Sequence, residues 1–207
     1  MMRIRFLFVC AITITFLTLF EVSNPSVFTT ETVWWAFAIS LIAYVHIVEK
    51  KPLASLGICK PSVSTVSTAA IGFALALCGV VIFGLITIFT GLDAGSTEER
   101  LDLTASAPLW WLAIVFLRAG VVEELIFRGF VISRSIEFGA PPWLAIVFAT
   151  ALFVIPHAFF WPGSSLILVS LTGIAMGVVF VWKQDLLACI LAHIAVNIGG
   201  TIAAILN

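Results

Sequence analysis

The sequence predicts an all-α membrane protein, a polytopic transmembrane helical bundle of about seven spans. Of its 207 residues, 62% are hydrophobic and only 10% are charged, and the mean hydropathy is +1.21. Soluble domains are near half apolar, with about a quarter of their residues charged. The chain therefore carries more apolar surface than one core can bury. Apolar runs of about twenty residues, the length that crosses a bilayer as a helix, also recur along the whole sequence.

Seven apolar segments follow one another along the chain. They cover roughly residues 4–20, 33–48, 66–91, 109–133, 142–161, 164–182 and 186–206. We therefore expect one integral membrane domain over residues 1–207. The second segment is short, and a tight WPGS turn joins the fifth to the sixth. Residues 1–20 are alternatively a cleaved signal peptide, although no small-x-small cleavage site follows them.

The charges between the segments predict the orientation of the chain. Lysine and arginine flank alternate ends of the segments, at Arg3, Arg5, Lys50, Lys51, Lys60, Arg134 and Lys183. The other loops are expected to hold mainly acidic residues, at Glu21, Glu31, Asp93, Glu98, Glu99 and Asp102. Because positive residues concentrate on the cytoplasmic side, we expect a multi-pass protein, in the plasma membrane, with a cytoplasmic amino terminus.

Charge and cysteine usage exclude several other classes of protein. The net charge is −1 and no basic block is present, so the expected surroundings are the lipid bilayer, and nucleic acid is not an expected partner. The four cysteines are scattered and form no CxxC pair. This spacing indicates neither a disulfide framework nor a thiolate metal site.

The fourth segment places charges where charge is most costly, at Arg118, Glu123, Glu124 and Arg128. Each costs roughly 2.5–3.5 kcal/mol at the centre of a membrane helix, so pairing or a shielded cavity is expected. Glu124 and Arg128 are four residues apart, on one face and in the favourable acid-first order. Glu123 points about 100° away, which leaves a carboxyl suited to proton exchange. Arg118 has no evident partner, and we expect it to extend outward to the interface.

Two later segments carry polar residues within apolar runs. His157 follows Pro156, which favours a kink, in FVIPHAFF of the fifth segment. His193 and Asn197 lie four residues apart, on one face, in HIAVN of the seventh. Each of these is equally well explained as hydrogen bonding that holds a bundle together. Since polar residues in membrane helices face the bundle interior, we expect these groups to converge with Glu123, with His157 about a turn deeper.

A carboxylate, two histidines and an asparagine suit the hydrolysis of an amide. The carboxylate activates water, a histidine holds or shuttles the proton, and a His–Asn face supplies N–H donors to the oxyanion. A second interpretation is a zinc site with one open position, formed by Glu123, His157 and His193. The local HExxH zinc signature is absent from the sequence.

Three motifs resemble those of the CPBP family, the CAAX proteases and bacteriocin-processing enzymes. EELIFR matches the family's EExxxR, FVIPH matches its FxxxH, and HIAVN matches its HxxxN. They occur in the family's order, each on its own predicted helix. The resemblance covers roughly residues 109–199, which we interpret as the catalytic core.

The resemblance implies an intramembrane endopeptidase of glutamate type that acts on a peptide or a membrane-anchored protein. The implied roles fall to Glu123 with His157 for water activation, His193 with Asn197 for the oxyanion, and Glu124 with Arg128 for structural support. The family has also been described as metal-dependent, which keeps the zinc interpretation open.

Two interpretations without peptidase activity stand beside this one. A bacteriocin-immunity or scaffold protein could share the fold, but a binding role would require none of the four catalytic residue types. A proton-coupled transporter would also use carboxylates and histidines inside the membrane. The sequence has neither the internal repeat nor the paired broken helices typical of such transporters.

Overall fold

The computed structural model describes residues 2–22, 27–92, 108–159 and 163–206. All regular secondary structure within these ranges is helical, which confirms the predicted all-α class. The acidic residues from Asp93 to Asp102 lie outside the described residues. Trp161 and Pro162 of the predicted WPGS turn also lie outside them.

Each of the seven predicted apolar segments corresponds to a helix in the described part of the chain. The first three are α1 (Met2–Val22), α2 (Val27–Ala43, with a π-helical extension Tyr44–Val48) and α3 (Val63–Thr90). Helix α4 runs through Leu109–Arg118, the π-helical turns Ala119–Glu123 and Leu125–Ile132, and a last α-helical stretch Ser133–Glu137. The last three are α5 (Pro142–His157), α6 (Ser165–Lys183) and α7 (Leu186–Leu206).

Local sequence signals set several of the helix ends. Ser62 and Thr65 form a capping box at the start of α3, and Gly91, with φ of 67°, ends that helix in the left-handed conformation. Pro142 begins α5, where its missing N–H costs nothing. The Asp185 carboxylate accepts a hydrogen bond of 3.0 Å from the amide of Ala188 and so caps α7.

Helix length and apolar composition indicate a membrane protein. The described helices that are long and apolar enough to cross a bilayer are Phe28–Val48, Val63–Thr90, Ser165–Lys183 and Leu186–Ala203. Shorter apolar helices cover Arg5–Phe20 and Pro142–His157. Large apolar side chains face outward, as at Phe89, which is 83% exposed. The total of about seven crossings and the cytoplasmic amino terminus stay predictions.

Helix α4 lies at the centre of the bundle. It packs against α2, α5, α6 and α7, while α3 covers the outside of α6 and α7 and α1 packs against α5. Every residue of Leu125–Ile132 is buried. The charged helix is therefore the one that its neighbours shield most from the surroundings.

The loop that follows α2 meets the carboxyl end of α4 and the start of α7 at one end of the bundle. Arg134 is 1% exposed and lies 2.7 Å from the Glu49 carboxylate, and it also donates to the backbone oxygen of Ser55 at 3.2 Å. The amide of Leu186 donates to the backbone oxygen of Gly57 at 2.9 Å. Arg134, expected to follow the fourth segment, therefore lies inside α4, and it binds the loop after α2 from there.

Gly120 lies at a close contact between α4 and α7, near the charged residues of α4. A Cβ at this position would lie 2.6 Å from Ile194 Cγ1 and 3.3 Å from Ile190 O. We expect Gly120→Ala to lower the free energy of unfolding by about 1–3 kcal/mol, because overpacking displaces the neighbouring helix. Gly84→Ala is the matched control, because its Cβ would meet nothing within 4 Å. Unfolding in mixed detergent micelles measures both variants. Equal stabilities would contradict a tight α4–α7 contact.

Candidate active site

Glu124 is fully buried at the centre of α4 and binds two partners through one oxygen. Its Oε1 accepts a hydrogen bond of 2.9 Å from Arg128 Nη1 and lies 2.7 Å from His193 Nδ1. Arg128 donates its second Nη to the backbone oxygen of Gly173 at 3.1 Å, and its guanidinium lies over the ring of Phe153. The ion pair expected from the four-residue spacing is therefore present. The bond between Glu124 and His193 was not foreseen from the sequence.

His193 links α7 to both glutamates of α4. Because the buried Glu124 carboxylate accepts from Nδ1, that nitrogen carries a hydrogen and the ring is held in one orientation. Its Nε2 then faces Glu123, with 4.0 Å between Nε2 and Glu123 Oε2. The structure thus brings His193 and Glu123 to the same place, as the motif pattern led us to expect.

Glu123 is 9% exposed and is paired with Arg118, whose Nη1 donates to its Oε1 at 3.0 Å. The expectation that Arg118 has no partner and extends outward is wrong. Ala119–Glu123 forms a π-helical turn, in which residues five apart come together. An α-helical pattern pairs residues three or four apart, so the spacing of the residues does not indicate this contact.

Glu31 was expected in a loop, and that expectation is also wrong. It lies within the helical residues Val27–Ala43 of α2, where its Oε1 is 3.3 Å from Arg118 Nε. The ring of Trp34, one turn further along α2, lies 5.1 Å from the Arg118 guanidinium. These contacts join elements far apart in sequence, so no local motif could have predicted them.

His157 is the last residue of α5, directly after Pro156. Its Nδ1 lies 2.7 Å from the backbone oxygen of Phe153, one turn earlier. With Nδ1 donating this bond, a neutral imidazole carries its lone pair on Nε2. The Phe153 ring contacts both the imidazole of His157 and the guanidinium of Arg128, and so connects His157 to the buried charges.

Asn197 lies on α7, half-buried, one turn beyond His193. His193 bonds to Glu124 and lies 4.0 Å from Glu123, whereas no hydrogen bond joins Asn197 to either glutamate. The structure therefore brings Glu123, Glu124 and His193 into one contacting group. It places Asn197 on the same helix as that group without a bond to it.

The three candidate zinc ligands do not form a metal-binding cluster. Among the residues that the structure describes, no group of three or more His, Cys, Asp or Glu side chains is arranged to hold an ion. Glu123 is instead paired with Arg118, and His157 Nδ1 is bound to a backbone oxygen. The zinc interpretation stays a prediction.

Part of the chain matches a known protein family. Residues 105–199, somewhat less than half of the chain, match the model of the Rce1-like family, described as type II CAAX prenyl endopeptidase. All three motifs lie within the matched residues. No curated protein and no solved structure matches the chain. The family match confirms the resemblance to the CAAX proteases.

Proposed function

We propose that this protein is an endopeptidase that hydrolyses a peptide bond at or within the membrane, with Glu123 as the base that activates water. The observation that carries the proposal is the 4.0 Å separation between Glu123 Oε2 and His193 Nε2. Two hydrogen bonds of about 2.8 Å each can span that distance through one water. A water held there lies against a carboxylate that can take its proton.

The proposed reaction begins when Glu123 Oε2 removes a proton from this water. The resulting hydroxide attacks the carbonyl carbon of the substrate, and the carbonyl electron pair moves onto its oxygen. The oxyanion electron pair then re-forms the C=O bond as the C–N bond breaks, and the departing nitrogen receives the proton held by Glu123. The products are a carboxylic acid and an amine. We assign His157 the role of assisting this proton transfer, since a ring whose Nδ1 donates to Phe153 can accept a proton at Nε2.

We assign the oxyanion to His193 and Asn197. Since the Nδ1 hydrogen of His193 is bound by Glu124, donation from Nε2 requires the imidazolium form. The amide of Asn197 would supply the second donor.

We propose a lipid-modified peptide as the substrate class. The family description names prenyl endopeptidases, and an apolar cavity of about 240 Å³ lies among α2, α4 and α7. Val121 and Leu125, which flank the two glutamates on α4, both line it. Such a lining suits a hydrocarbon chain and offers little to a charged ligand.

Cleavage by purified protein in detergent tests this function. We expect a farnesylated peptide with a CAAX tail to be cleaved faster than the same peptide without the lipid, because the lipid adds apolar contact beside the site. Mass spectrometry identifies the bond that is cut. A parallel reaction after dialysis against strong chelators tests the zinc interpretation, which full retained activity would exclude.

Failure to cleave any peptide would leave the immunity or scaffold interpretation as the alternative. That interpretation gains support if Glu123→Ala, His157→Ala and His193→Ala all keep full biological activity. It is contradicted if each of the three abolishes that activity while the protein still inserts in the membrane.

A further inference from the structure

The guanidinium of Arg118 is held on several sides within the bundle. Its Nη1 donates to Glu123 Oε1 at 3.0 Å, and its Nε lies 3.3 Å from Glu31 Oε1. The Trp34 ring lies 5.1 Å from the guanidinium carbon, within the range of a cation–π contact. Glu31 and Trp34 are three residues apart on α2, so they present one helix face to Arg118.

The contact between Arg118 and Glu123 lies within a single helix, because the turn Ala119–Glu123 is π-helical. Its five-residue closure sets Arg118 against Glu123, so one helix supplies both the base and the cation beside it. Turns of this kind occur in α-helices frequently at functional sites. The π-helical turn of α4 therefore contains Glu123, the residue that we propose as the base.

The two oxygens of Glu123 have different surroundings as a result. Oε1 is engaged by Arg118, whereas Oε2 faces His193 Nε2 across 4.0 Å. The terminal torsion of a glutamate has broad minima, so a carboxylate without this anchor would rotate. A guanidinium is suited to the task because its donors form a rigid fork that binds carboxylates.

We propose that Arg118, held in place by Glu31 and Trp34, is a positioning residue that turns Glu123 Oε2 toward the catalytic water. This inference rests on the proposed function, because it assigns Arg118 a task only if Glu123 is the base. It also extends the site beyond residues 105–199 that match the family model, since α2 lies outside that range. Helix α2 would then contribute to catalysis as well as to the packing of the bundle.

Kinetic constants of Arg118 and Glu31 variants test the proposal. We expect Arg118→Gln to lower kcat by about 100-fold and Glu31→Gln by about 10-fold, since a misplacement near 1 Å has effects of this order. The KM should change by less than about twofold, because neither side chain is expected to touch the substrate. Arg118→Lys keeps the charge without the fork, so its kcat should lie between that of Arg118→Gln and the unmodified protein.

Glu49→Gln is the matched control for Glu31→Gln. Glu49 directly follows α2 and also binds a buried arginine of α4, Arg134, but Arg134 lies near the carboxyl end of that helix whereas Glu123 lies at its middle. We expect its kcat to be unchanged once the amount of folded protein is normalised. An equal loss in both variants would show that Glu31 stabilises the bundle only, and would overturn the proposal.

The double variant Arg118→Gln/Glu31→Gln separates a shared role from two independent ones. If Glu31 acts through Arg118, the double variant should have the kcat of Arg118→Gln alone. A further tenfold loss would contradict that link. Should Arg118→Gln fail to fold, Arg118→Lys and Glu31→Gln still decide the question.

A Glu123→Gln reference keeps this proposal distinct from the proposed function. If Glu123→Gln retains cleavage, the assignment of the base fails and the positioning role fails with it. If Glu123→Gln is inactive while both Arg118→Gln and Glu31→Gln keep full kcat, only the positioning role is overturned.

Discussion

Replacing Glu123 by glutamine is expected to lower peptide cleavage by about 10³-fold while leaving insertion and folding intact, in line with the size of general-base effects. Glutamine has nearly the same shape, and its amide oxygen can still accept the hydrogen bond from Arg118 Nη1. It cannot take a proton from water, however. The change therefore removes the base and preserves the packing around it. Cleavage of the farnesylated peptide, normalised to folded protein, measures the loss.

Glu137→Gln serves as the control for this experiment. Glu137 lies on the same helix, is partly exposed and pairs with Lys51 at the end of the bundle where the loops meet. Its substitution removes a carboxylate from α4 without approaching His193, so full activity is expected. If Glu123→Gln cleaves as fast as Glu137→Gln, Glu123 is not the base. The non-catalytic interpretation would then become the stronger one.

The positions of the helices could be predicted from the sequence because a bilayer demands apolar runs of a fixed length. The bounds differ mainly where polar residues interrupt a run. Helix α2 begins at Val27, before Glu31, and that carboxylate lies inside the helix, paired with Arg118. Helix α5 ends at His157, four residues before the predicted end of the segment, and directly after Pro156.

The candidate site was only partly predictable for a related reason. The pair of Glu124 and Arg128 follows α-helical geometry, so its spacing foretold the contact. The pair of Arg118 and Glu123 depends on a π-helical turn, which has no signature in a pattern of residue types. The bond between Glu124 and His193 joins residues of different helices. Only the arrangement of the helices in space determines such a contact.

Arg128→Met is expected to lower the free energy of unfolding by about 3–5 kcal/mol, the range for breaking a buried ion pair from one side. Arg128 is 2% exposed, and its removal would leave Glu124, which is 0% exposed, without its cation. The backbone oxygen of Gly173 would lose its donor as well. Arg128→Lys should recover only part of this loss, since an ammonium cannot fork between the carboxylate and that oxygen. Unfolding in mixed micelles, followed by circular dichroism, measures both variants.

The double variant Glu124→Gln/Arg128→Met tests whether unpaired charge is the cause of this loss. It buries no charge at either position, and the glutamine that replaces Glu124 would keep an oxygen that accepts from His193 Nδ1. We therefore expect it to regain at least half of the stability lost in Arg128→Met. Equal instability of the single and double variants would assign the effect to lost packing against Phe153 instead. In that case the charge left unpaired on Glu124 would contribute little to the instability of Arg128→Met.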